Sequence, residues 1–124
     1  ANLALTKVGC KYSQEHRYEE GYYDCSSLVQ RLYQEVGISL PAIASTQGEF
    51  MVTHGLEVTE GELEPGELIF YSYEQNGQVR NISHVAIDVG NGRMVHAANS
   101  RRGVVNDPFN PSNIGLYGRP SRLQ

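Results

Sequence analysis

Cys25, His84 and His96 are the side chains of this sequence whose types could together carry out nucleophilic chemistry. A thiol attacks well only once something takes its proton, and the base that does so needs a third group to hold it in the right tautomer. Cys25, His84 and His96 could fill those places in that order. Cys25 precedes Leu28, Val29, Leu32, Tyr33 and Val36, whose spacing is that of an amphipathic helix stopped at Gly37. Asp24 and Ser26 are both N-cap types, so the helix is expected to open within a residue or two of Cys25. A thiol there meets unpaired backbone N–H groups and the positive end of the helix dipole, which predicts a pKa below the free value of about 8.5. Taken alone, a cysteine in this place is as readily a small buried hydrophobe or half of a disulfide. Cys10 is the other cysteine, and a bridge to it would consume the thiol that the helix end is arranged to ionise.

The two histidines flank a tight turn. Ser83–Val89 alternates, with Val85, Ile87 and Val89 on one face and His84, Ala86 and Asp88 on the other; Arg93–Ala98 returns after Gly90-Asn91-Gly92. Directly opposed residues share a face, so His84 and His96 lie together only if the connection has odd length or contains a bulge. A three-residue loop Gly90-Asn91-Gly92 pairs Ala86 with His96 and leaves His84 as its diagonal neighbour, about 7–8 Å away along the backbone. A regular two-residue Asn91-Gly92 turn would put the rings on opposite faces. His16 and His54 sit in polar loop contexts and are read as bystanders.

The remaining elements must position these groups. Asn2–Val8 is expected to be a short helix ended by Gly9, Cys10–Tyr23 a surface loop, and Ser45–Thr53 a second helix stopped by His54-Gly55. Leu63-Glu64-Pro65-Gly66 is a turn leading into a strand at Glu67–Tyr71, Glu74–Asn81 reads as an exposed hairpin tip or loop, and Gly103–Val105 and Ile114–Gly118 are further short strand candidates. Helices first and strands afterwards predict an α+β fold, with the helices laid on one face of an antiparallel sheet. The 124 residues suffice for one domain with its own core. A net charge of −4 with scattered basic residues argues against nucleic acid as a partner, and no apolar run is long enough to span a membrane.

Three blocks in order resemble the signatures of the NlpC/P60 cell-wall peptidases: Asp24–Val29, Leu63–Phe70 and Ser83–Ala97. The resemblance runs from about Gly9 to Ala98. It implies a papain-like fold, residues 1–124 forming a single catalytic domain cut from a longer multidomain precursor, and location outside the cell or in its envelope. It further implies a cysteine peptidase that cuts peptidoglycan stem peptides, commonly between D-γ-glutamyl and the diamino acid, as a monomer with no metal or cofactor. On this resemblance Cys25 is the nucleophile, His84 the base and acid, and His96 the group orienting His84. Tyr12 matches a tyrosine beside the nucleophile, and Asp24, Ser26 and Ser83 match positions lining the substrate groove. The chain departs from the pattern after Leu40-Pro41, where many members carry Arg and then Ser or Thr; here Ala42 and Ala44 stand, and a groove contact is expected to be missing.

Three rival readings remain at this point. An N-acetylmuramoyl-L-alanine amidase would use the same three residues on a different bond. Cys10, Cys25, His84 and His96 have ligand chemistry suited to zinc, without the spacing of a known zinc motif. A catalytically silent wall-binding module would carry the same blocks with an unreactive Cys25.

Overall fold

The computed structural model describes residues 2–73 and 81–123. Helix α1 (Asn2–Leu5) is followed by a two-residue parallel pair, β1 (Lys11–Tyr12) and β2 (Tyr22–Tyr23), and then by α2 (Cys25–Glu35) and α3 (Ala44–Thr53). Six strands complete the chain: β3 (Glu57–Val58), β4 (Leu68–Tyr71), β5 (His84–Gly90), β6 (Arg93–Asn99), β7 (Gly103–Pro108) and β8 (Ile114–Gly118). They form one antiparallel sheet in the order β3-β8-β4-β5-β6-β7. The α+β architecture expected from the order of helical and extended patterns is the one observed. None of the described helices is long and apolar enough to cross a membrane.

Local chemistry sets where α2 begins. Asp24 caps it in extended conformation, its Oδ1 accepting the Ser27 N–H at 2.8 Å, while Ser27 Oγ accepts the Asp24 N–H at 2.9 Å. Leu28, Val29 and Leu32 then face the sheet, where they meet Met51 of α3 and the inward side chains Leu68, Phe70, Val85, Ile87, Val95 and Ala97. The opposite face of the sheet is not left to solvent. Val58, Ile69, Tyr71, Ala86, Met94 and Tyr117 form a second cluster there, against which Leu63, Phe109 and Ile114 pack. That is why β4 is buried at all four positions rather than alternating.

Several boundaries differ from the sequence reading. The first helix ends at Leu5 rather than Val8, because a single turn has little stability of its own and the chain beyond it is recruited to β7: Gly9 N–H donates to Val104 O at 2.9 Å. The β1–β2 pair lies inside the expected loop and is too short to leave a periodic signature. Strand β7 runs on to Pro108, beyond the expected Val105. The loop expected over 74–81 falls, Asn81 apart, outside the described residues.

Gly103, where β7 starts, has φ +71°, and a Cβ there would stand against the Cys10 carbonyl oxygen that accepts the Val104 N–H at 2.9 Å. Both the left-handed backbone and the close approach exclude a side chain. Gly103→Ala is therefore expected to lower stability by about 1–3 kcal/mol, read as a shift in the urea midpoint at unchanged slope; an unshifted midpoint would contradict this packing.

Candidate active site

The turn between β5 and β6 decides the geometry. Its two central residues, Asn91 (φ +56°) and Gly92 (φ +70°), make a two-residue connection closing the pair Gly90↔Arg93. By itself that register would separate the histidines. Strand β5, however, carries one extra residue, Val89, between the pairs Gly90↔Arg93 and Asp88↔Met94. The bulge restores the Ile87↔Val95 register, so His84 and His96 share a face. The loop is thus two residues with a bulge rather than the three-residue loop expected, and the pairing it produces is the expected one.

Both imidazoles are buried, and they touch. His84 Nε2 and His96 Nδ1 are 2.8 Å apart, with the ring planes at 75°. His84 is paired across β4 with Tyr71 and lies beside the stacked rings of Tyr71 and Tyr73, with centroids 6.1 and 5.9 Å away. Beyond His96 the chain of contacts continues through residues that sequence reasoning did not single out. His96 Nε2 is 2.8 Å from Asp107 Oδ2, and Asp107 is gripped by both guanidinium nitrogens of Arg102, at 2.9 and 2.6 Å. The pairing of His96 with Val105 across β6 and β7 puts Asp107 two residues along on the same face.

Cys25 is the first residue of α2, and Cys10 and Cys25 are both free thiols, so no bridge removes the sulfur. The backbone amides of Ser26, in its own helix, and of Val85, the residue after His84, lie near enough to favour its ionised form. The second of them belongs to the strand that bears the imidazole. Burial nevertheless pushes the Cys25 thiol up to about 11, outweighing the two amides, and nearby Asp24 opposes ionisation further. Burial likewise holds His84 down to about 4, with His96 adding to the effect. The lowered thiol pKa expected from the helix dipole is therefore corrected: burial pushes the thiol and the imidazole each towards its uncharged form. The helix-end amides act in the expected direction, but desolvation is the larger effect.

A groove of about 280 Å³ opens at this sulfur, lined by Asp24, Cys25, Ser26, Ala44, Ser45 and Ser83 among others. Three expected groove residues, Asp24, Ser26 and Ser83, thus stand together. Tyr12 is not among the lining residues but lies close enough to feel the Cys25 charge; burial first, and that charge second, raise its hydroxyl pKa and keep it a donor. The absence of arginine at position 42 is answered from another loop. Arg17 pairs with Asp24 (Nε to Oδ2, 3.1 Å), donates to Ser26 Oγ at 3.0 Å and reaches the carbonyl of Ala42 itself. Gln47 ties the same segment down, donating to Ser26 O at 3.0 Å and Pro41 O at 2.9 Å. Glu67 is structural: it accepts the Glu64 N–H at 2.8 Å and pairs with Arg119. His16 and His54 stay in exposed local contacts with Glu19 and Phe50, away from this cluster. Among the described residues, no group of three or more His, Cys, Asp or Glu side chains is arranged to hold a metal ion.

The profile of the NlpC/P60 family matches residues 9–114. The chain belongs to the NlpC/P60 family. A γ-D-glutamyl-L-lysine dipeptidyl-peptidase of Bacillus cereus is 31% identical over 101 residues, covering 81% of this chain and 28% of that protein. A bifunctional muramidase/DL-endopeptidase, CwlT of Bacillus subtilis, is 36% identical over 99 residues, covering 78% of this chain and 28% of that protein. The chain therefore spans less than a third of either relative. Among solved structures, NlpC1 of Trichomonas vaginalis superposes with a TM-score of 0.81 at 29% identity, over 95% of this chain and 41% of that one. An NlpC/P60 family protein of Bacillus cereus gives 0.76 at 25% identity, over 95% and 38%. The family match continues past Ala98, where the resemblance of individual motifs stops, and takes in Asp107.

An uncharged resting thiol makes a specific demand on reactivity, since only the thiolate reacts with alkylating agents. Iodoacetamide labelling of Cys25, resolved from Cys10 by peptide mass, is expected to accelerate about tenfold per pH unit between pH 7 and 9. A rate independent of pH over that range would instead signify a preformed thiolate–imidazolium pair.

Proposed function

We propose that this domain is a cysteine peptidase of the bacterial cell wall, cutting the peptidoglycan stem peptide at the γ-D-glutamyl bond to the diamino acid. The observation that carries the reading is a free thiol at the head of a helix, close to the amide that follows one of two hydrogen-bonded imidazoles. The names of the two bacterial relatives support the choice of bond, one being a γ-D-glutamyl-L-lysine dipeptidyl-peptidase and the other a DL-endopeptidase. Their substrate suggests work outside the cell or in its envelope, on stem peptides as the partner, by a monomer.

In this reading Cys25 is the nucleophile and His84 the general base. As the sulfur attacks the amide carbonyl, its proton passes to His84, and His96 steadies the imidazolium that forms. The oxyanion is met by the first-turn amide of Cys25 and by the Tyr12 hydroxyl; one such donor is worth about 10²–10³ in rate. His84 then returns the proton to the departing amine of the diamino acid. Water, deprotonated by His84, hydrolyses the thioester, releasing the D-glutamyl γ-carboxylate and restoring the thiol. Asp24, Ser26 and Ser83 line the groove that receives the peptide.

Cys25→Ala is expected to abolish release of fragments from defined muropeptides while leaving the unfolding temperature unchanged, and wild-type product masses should place the cut after D-glutamate. Undiminished cleavage by the variant would end the proposal, and release of the intact stem peptide from muramic acid would replace it with the amidase. Because the folded His84 pKa lies below its free value, the basic imidazole persists into acid. The acid limb of kcat/KM is accordingly expected near pH 4, and a limb near pH 6.5, the free value, would count against His84 as the base.

A further inference from the structure

The structure assigns Asp107, clamped by Arg102, as a positioning residue that sets the direction of the whole imidazole chain and thereby selects the nitrogen of His84 that receives the thiol proton. The inference rests on the reading of Cys25 and His84 given above, but its central observation concerns the resting protein alone.

Bond directions follow from what each group can donate. The Asp107 carboxylate already accepts two N–H groups from Arg102, and that pair holds its pKa down to about 2. At neutral pH it has no proton to give, so the 2.8 Å contact with His96 requires His96 Nε2 to carry the hydrogen. A neutral His96 with Nε2–H has a bare lone pair on Nδ1. The 2.8 Å contact with His84 then requires the hydrogen on His84 Nε2. That leaves His84 Nδ1 unprotonated and able to act as a base. With a single proton on the His96 ring, each step follows from the one before it, and the first is fixed by a carboxylate on a strand that carries no other part of the proposed machinery. A polar group contacting His96 that could donate as well as accept would leave both directions open, and the reversed direction places a hydrogen on His84 Nδ1, where it blocks proton uptake.

Arg102 bears on which substitution breaks the chain. Asp107 Oδ2 faces His96 Nε2 and also accepts from Arg102, which donates to Oδ1 as well, so an asparagine oxygen in the Oδ2 place could still serve His96. Asp107→Ala removes the acceptor altogether and leaves the His96 tautomer unset. Asp107→Glu keeps an acceptor-only carboxylate.

The test is ¹⁵N NMR of histidine-labelled protein at neutral pH, in which protonated and bare ring nitrogens are well separated, combined with muropeptide kinetics. The wild type is expected to show Nε2–H and bare Nδ1 at both His84 and His96. Asp107→Ala should lose the single tautomer at His96, with kcat reduced at least tenfold and KM little changed; this is less than the roughly 10⁴-fold lost when the residue directly holding a catalytic histidine is altered. Asp107→Glu should recover the wild-type tautomers and part of the rate. Nδ1–H on His96 in the wild type would overturn the inference, even if no variant folds, and so would an Asp107→Ala protein with wild-type tautomers and kcat. If the tautomers are as stated but the wild type leaves muropeptides intact, the peptidase reading fails and the positioning role stands.

Discussion

One unpaired residue in an edge of the ladder governs the site. Val89 shifts the pairing of β5 against β6 by a single position, and a shift of one moves each side chain of a strand to the other face. Without it, the closing pair Gly90↔Arg93 would bring His96 opposite Ile87, pointing into the core beneath α2 and away from His84. The imidazole contact presupposes the bulge, while His84 is set beside Tyr71 by the β4–β5 register and Asp107 beside His96 by the β6–β7 register. Bulges beside active sites re-aim side chains in this way, and Gly90 accommodates it with φ +85°.

Given that register, the electrostatics follow from burial. The face carrying the histidines is covered by the second apolar cluster, so a charge on either ring lacks water to solvate it. The nearest formal charges are placed at the ends: Asp107 with Arg102 beyond His96, and Asp24 with Arg17 beside Cys25. Each carboxylate is matched by a guanidinium, which limits the field it projects onto the reacting pair. Between them, burial favours the uncharged forms of Cys25 and His84.

Much of this was legible in the sequence, and the parts that were not share a cause. The head of α2 could be placed because Asp24 and Ser27 act within a few residues of one another, and the strands at Leu68, His84 and Arg93 because apolar alternation is a local signal. The choice between opposite and shared faces for the histidines depended on a bulge, and Gly-Asn-Gly permits a turn with or without one. Asp107 was invisible for a different reason. Its relation to His96 spans two strands and a turn at residues 99–102, and a lone aspartate between asparagine and proline carries no pattern. The thiol pKa was misjudged because the helix dipole is local to Cys25, whereas the burial that outweighs it comes from residues far along the chain. Arg17, which reaches the segment where Ala42 breaks the family pattern, crosses from a loop whose composition suggested only a polar surface.

The uncharged state of Cys25 bears on durability as well as on rate. Peroxides and disulfide partners attack the ionised sulfur, and a thiol kept protonated offers them little of it. The groove therefore holds a sulfur that such reagents should attack more slowly than they would an exposed thiolate.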